Sequence, residues 1–105
     1  MNEGIKTIAE HYGLNNQMMQ AIEEMGELTQ AIVKVFRNGL ENERDGLIEE
    51  LADVEIMIEQ LDYLLGDNQI EKVKEYKINR QLNRIAKEGC RAKKDTDTDI
   101  STTTT

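Results

Sequence analysis

Two pairs of carboxylates carry the chemistry open to this sequence. Glu24 and Glu27 stand three apart in Glu23-Glu24-Met25-Gly26-Glu27-Leu28, and Glu50 and Asp53 stand three apart in Glu49-Glu50-Leu51-Ala52-Asp53-Val54. A helix turns about 100° per residue, so side chains three apart are neighbours on one side of it. Between 43 and 65, Leu47, Leu51, Val54, Ile58, Leu61 and Leu65 make an apolar stripe. Glu50 falls inside that arc, near Val54, Met57 and Leu61, and Asp53 lies on its margin beside Leu64, whereas Glu55 and Glu59 point further round. In the preceding segment Met18, Ile22, Met25, Thr29, Ile32 and Phe36 make an apolar stripe, with Glu24 at its edge near Leu28, Ala31 and Val35. A carboxylate facing a core is costly unless something neutralises it, and two acidic pairs on facing helices repel. A hard cation answers both difficulties, and an oxygen-only ligand set selects Mg²⁺ or Mn²⁺ over zinc. One such pair alone is usually a solvated face. Two pairs on consecutive helices, with one member inside an apolar arc, single out Glu24, Glu27, Glu50 and Asp53 as metal ligands.

Cations at helical spacing come next. Lys77, Arg80, Arg84 and Lys87 form one basic stripe, and Lys34 lies one to two turns beyond Glu27 on the same flank. Lys34, Lys77, Arg80 and Arg84 are candidates to hold phosphate oxygens. The simpler reading of the stripe is that basic groups near a helix C-terminus meet the helix dipole. Tyr76 could stack on a base or pack against a neighbour. His11 is the sole histidine, which weighs against a di-iron carboxylate bundle with its two Glu-x-x-His motifs, and a capping or surface role is expected for it. Cys90 is the sole cysteine, so one chain has neither an internal disulfide nor a thiolate cluster, and a free surface thiol is expected.

The elements that position these groups read as helices. Gly13, Gly39, Gly66 and Gly89 each follow a helix-like stretch, where glycine suits a C-cap. Asn15 or Asn16, Asn42, and Asp67 or Asn68 offer start caps for the next stretch. The expected helices cover about 3–12, 16–38, 43–65 and 69–88, and the short connections predict antiparallel neighbours. The expected fold is all-α and four-helix bundle-like, over residues 1–90, followed by a polar Asp- and Thr-rich tail, 91–105, expected to be disordered. The absence of proline and the abundance of Glu, Lys, Leu, Ile and Met agree. A chain of 105 residues has room for one domain and gains from self-association. A net charge of −8 argues against nucleic acid as a partner. No stretch reads as a signal peptide or membrane span, so no membrane partner is expected and the expected compartment is the cytoplasm.

The two-part motif, E-x-x-E on one helix and E-x-x-D on the next, resembles the MazG-like all-α nucleoside triphosphate pyrophosphohydrolase family. The match covers about 16–65, the run Gln30-Ala31-Ile32-Val33-Lys34 is also similar, and the helix count extends it to about 88. The resemblance implies that Glu24, Glu27, Glu50 and Asp53 bind Mg²⁺, and that a nucleoside triphosphate is cleaved to the monophosphate and pyrophosphate. It also implies a homodimer or homotetramer, with the site often completed by a neighbour. Glu23 or Glu49, as an adjacent free carboxylate, could take the proton of the attacking water or bind a further metal. The fourth helix has no motif that aligns with the family, and the base-recognition residues are undefined. Two competing readings are a non-catalytic helical interaction module or degenerate family member, and a hydrolase of another phosphorylated metabolite such as phosphoribosyl-ATP or an alarmone-like nucleotide.

Overall fold

The computed structural model describes residues 2–67 and 69–95, with side chains described as far as 89. Four helices follow one another: α1 (Glu3–Tyr12), α2 (Leu14–Asn38), α3 (Leu40–Leu65) and α4 (Gln69–Asp95). The fold is all-α, and no strand occurs among the described residues. The chain divides into two units, Met1–Asn68 and Gln69–Thr105.

In the first unit α2 and α3 pack along their lengths, and α1 packs chiefly on α3. One residue joins each successive pair of these helices. Gly13 and Gly39 each end one helix and start the next, with φ/ψ of 84°/167° and 95°/144°. That region of backbone space is open essentially to glycine alone. Each amide still closes the outgoing helix, Gly13 onto the Ala9 carbonyl and Gly39 onto the Val35 carbonyl. Gly66 ends α3 in the left-handed conformation expected of it.

The glycine corners correct the expected caps. Asn15, Asn16 and Asn42 lie inside their helices, and neither α2 nor α3 has a side-chain cap at its start. Asn16 Nδ2 and Asn42 Nδ2 instead donate backwards to the carbonyls of Tyr12 and Asn38, at 2.9 and 2.8 Å. Each amide thereby ties the new helix to the free end of the old one. Gly89 is likewise no cap, because α4 continues through it to Asp95. The side chain of Cys90 and residues 96–105 lie outside the described residues, and with them the expected free thiol and most of the expected tail.

The face by which α2 meets α3 also differs from the stripe expected. Gln17, Ala21, Glu24, Leu28, Ala31 and Val35 are buried or half-buried, at alternating spacings of four and three, with Leu14 and Gln20 the other half-buried positions of the helix. Opposite them on α3 stand Glu43, Leu47, Glu50, Val54, Met57, Leu61 and Leu64, with the same alternation. This is the seam of an antiparallel coiled-coil-like pair, in which Ala21 and Ala31 allow close approach. The stripe of Met18, Ile22, Met25, Thr29, Ile32 and Phe36 is exposed instead. Its mean direction is about 100° round the helix from the seam, so it forms an outer flank.

α1 closes the end of the hairpin that holds the start of α2 and the end of α3. Ile5 and Ala9 are buried there. Tyr63 on α3 donates its hydroxyl to the Glu10 carboxylate, and Lys6 sits 5.9 Å above the Tyr63 ring. Between the helices Gln17 Nε2 donates to Gln60 Oε1 at 2.7 Å, a polar contact inside the seam. In the second unit, α4 carries exposed Val73, Tyr76, Ile78, Leu82 and Ile85.

Candidate metal centre

The antiparallel register brings the middle of α2 against the first half of α3. Gln17 meets Gln60 near one end and Asn38 Nδ2 donates to Glu43 Oε2 at the other. Halfway between, one carboxylate oxygen from each of Glu24, Glu27 and Glu50 lies within 4.8 Å of the other two. Glu24 and Glu50 occupy seam positions on facing helices, and Glu27 stands one turn along the same side of α2 as Glu24.

Glu24 Oε1 and Glu50 Oε1 are enclosed and have no hydrogen-bond partner. A buried carboxylate oxygen without a donor loses its hydration for nothing in return. Glu24 Oε2 does accept from Gln20 Nε2 at 2.9 Å, one turn earlier on α2. No ion pair among the described residues reaches any of the three carboxylates. Desolvation, and then the charges of Glu27, Asp53, Glu24 and Glu49, raise the pKa of Glu50 above the ordinary carboxylate value. Both causes disfavour the charged form, and a cation within the triangle relieves both.

Asp53 is half-buried on α3 and does not join the triangle, although its charge acts on Glu50. Glu49 is exposed and also acts on Glu50. Glu23 is exposed and lines a separate cleft with Gln20. Lys34 lies on the wall of a cavity of about 290 Å³ that includes Glu27 and Glu50, with Gln30 between them and Gly46 opposite. That cavity therefore joins carboxylates, an amide and one cation along a single flank of the hairpin.

Lys77, Arg80 and Arg84 are exposed on α4, in the second unit. Arg80 carries its guanidinium 5.6 Å from the centre of the Tyr76 ring. Tyr76 is itself exposed, so it is no packing residue in the described chain. His11 stacks edge-on against Tyr12, with ring centres 4.6 Å apart.

Gln17, Gln20 and Gln60 were not among the expected site residues. Gln20 was legible in principle, since four residues separate it from Glu24 on one face. The Gln17–Gln60 pair depends on inter-helix register, which no local pattern gives. No protein-family model, curated protein or solved structure matches the chain.

Proposed function

We propose that the α2–α3 hairpin is a divalent-cation centre serving a nucleoside triphosphate pyrophosphohydrolase. The observation that carries this reading is the pair of enclosed, unpartnered oxygens of Glu24 and Glu50 within one triangle with Glu27. These three residues would hold Mg²⁺ or Mn²⁺, with Asp53 as a fourth, more distant carboxylate. The all-oxygen donor set suits such ions, which keep waters and bind substrate phosphates. The resemblance of the two acidic motifs to the MazG-like family supplies the reaction class.

A bound cation would offset the charge of the phosphate chain and acidify water. The chain's own groups do the rest. Lys34 sits on the cavity wall shared with Glu27 and Glu50, where it can hold phosphate oxygens. Glu49 or Glu23 takes the proton of the attacking water. Water adds to phosphorus, the phosphoanhydride bond breaks, and the monophosphate and pyrophosphate leave. On this reading the protein works in the cytoplasm, where its substrates are made. Lys77, Arg80 and Arg84 remain candidate phosphate contacts through their helical spacing alone, since no motif of α4 aligns with the family.

The reading includes a homodimer or homotetramer, supported by the flank opposite the cavity. Met18, Ile22, Met25, Ile32 and Phe36 of α2 share that flank with Leu40, Leu51, Ile58 and Leu65 of α3, each 42% to 87% exposed. Burial of a large apolar side chain removes roughly 60–120 Å² from water, so nine that are about half exposed leave on the order of 400 Å². Two copies face to face would bury about 800 Å² of apolar area, which suits a total interface near 1,200 Å². The occupant we infer is a second copy in an isologous pair, since a two-helix face meeting the same face of a copy related by a two-fold rotation completes a four-helix arrangement. Among the described residues no helix is long and apolar enough to cross a membrane.

The exposed flank is also what a non-catalytic interaction module would present. A panel of nucleoside triphosphates with Mg²⁺, followed by pyrophosphate release, separates the two. Release that Glu50→Gln abolishes supports the enzyme, and no release from any nucleotide tested leaves the module.

A further inference from the structure

A second cleft opens beside the metal centre, on the same flank of α2. It holds about 490 Å³ and is lined by Tyr12, Asn16, Gln17, Met19, Gln20 and Glu23. Asn16, Gln20, Glu23 and Glu27 are spaced by four, three and four, so one polar stripe runs from the cleft into the carboxylate triangle. Gln20 makes the join physical, because its amide donates to Glu24 Oε2. Eight residues of helix separate Asn16 from Glu24, about 12 Å along the axis. Past the triangle the stripe continues as Gln30 and Lys34 in the other cavity.

The cleft has its own chemistry. Its walls are an aromatic ring, a thioether and three amides, with one carboxylate at the edge. The amides are not free to turn. The Tyr12 carbonyl can only accept, so Asn16 must offer it Nδ2, which leaves Oδ1 as the free end of a residue that lines the cleft. Gln17 is 6% exposed and its Nε2 is committed to Gln60. Gln17 Oε1 accepts no hydrogen bond from the described residues, it is not among the enclosed unpaired oxygens, and Gln17 lines the cleft. Glu23 also only accepts. A buried amide held by its nitrogen, with an unpaired acceptor in a residue that lines a cleft, can take an N–H from a ligand.

We propose that this cleft binds the base of the nucleotide and selects the 4-amino group of cytosine or the 6-amino group of adenine over the oxo group of their counterparts. This rests on the triphosphate reading of the neighbouring centre. The base would lie against Tyr12 and Met19, with its amino group donating to Asn16 Oδ1 or Gln17 Oε1. The ribose spans towards Gln20, and the phosphates reach the triangle and Lys34. An oxo group at the same position meets acceptor oxygens and is rejected, because acceptor facing acceptor leaves both unpaired.

The test compares CTP with UTP and ATP with ITP, pairs that differ only at the amino or oxo edge. Turnover with Mg²⁺ and equilibrium binding without turnover are measured for wild type and Asn16→Ala, with inorganic tripolyphosphate as the substrate that lacks a base. The expected result is at least tenfold higher kcat/KM for CTP over UTP and for ATP over ITP. That preference shrinks in Asn16→Ala, and wild-type cleavage of tripolyphosphate gives the rate of the centre without any base in the cleft. If nucleotides are cleaved with no amino preference, the base assignment is overturned and the enzyme reading stands. If nothing is cleaved but CTP binds more tightly than UTP and Asn16→Ala removes the difference, the cleft assignment stands and the hydrolase reading falls. No binding and no turnover overturns both.

Discussion

Replacing Phe36 by alanine tests whether the apolar flank is an interface. Phe36 is 87% exposed in the single chain, so within that chain its ring contributes little and the substitution should move monomer stability by no more than about 0.5 kcal/mol. Buried between two copies it counts fully. Complete burial of a phenylalanine side chain is worth about 3 kcal/mol, and 87% of that is about 2.6 kcal/mol. An isologous dimer carries the residue twice, which gives about 5 kcal/mol. At 1.4 kcal/mol per decade the dimer dissociation constant rises by three to four orders of magnitude. Sedimentation equilibrium over a concentration series reads this directly, and circular dichroism reports that the helices persist. Wild-type chain that stays monomeric at tens of micromolar (roughly micromolar-affinity conditions), with unchanged behaviour in Phe36→Ala, would refute the reasoning. A monomer in which the flank is protected from solvent would show that another part of the chain covers it.

Three further outcomes follow from particular residues. Gly39→Ala forces a side chain into φ 95° at the one-residue corner between α2 and α3, and should cost about 1–3 kcal/mol, read as a drop in urea midpoint without change in slope. Gly26→Ala adds a methyl where nothing lies within 4 Å, on the side of α2 away from the seam, and should stabilise by about 0.5–1 kcal/mol with no effect on metal binding. In metal-free protein the raised pKa of Glu50 makes the unfolded chain release that proton first as pH rises through 4.5. Stability from this group therefore falls with rising pH until the native carboxyl has also ionised, and Glu50→Gln should flatten that slope in urea melts taken from pH 4 to 7 (roughly the carboxylate range).

The helices were legible because the glycines and the absence of proline mark them clearly. α1 matches its expected span, and α2 and α3 start a few residues early because Gly13 and Gly39 turn the chain in one residue. Two asparagines that resemble caps bind the previous helix instead, a choice fixed by how tight that corner is. The larger error concerns α2. Met18, Ile22, Met25, Ile32 and Phe36 are the most apolar line on that helix, and apolar pattern alone favours them as the inner face. The pairing with α3 selects the Ala21, Leu28, Ala31 and Val35 line, whose small residues fit the groove, and leaves the larger residues outward. That exchange moves Glu24 from the edge of a stripe to the centre of the seam. The carboxylate cluster was thus legible as chemistry, through the spacing of Glu24, Glu27 and Glu50. The amide cleft was not, because Gln17 gains its meaning only from Gln60, forty-three residues away.

Binding of Mn²⁺ alone, followed by titration calorimetry without any nucleotide, tests the central claim most directly. Wild type should bind with a saturable stoichiometry, and the metal should raise its melting temperature in the way of a ligand specific to the folded state. Glu50→Gln and Glu24→Gln should weaken binding at least tenfold (about 1.4 kcal/mol) while staying folded. Glu59→Gln, on the opposite side of α3 and exposed, should bind as wild type does. No saturable binding to wild type, or an equal loss in Glu59→Gln, would contradict the assignment of Glu24, Glu27 and Glu50 as a metal centre.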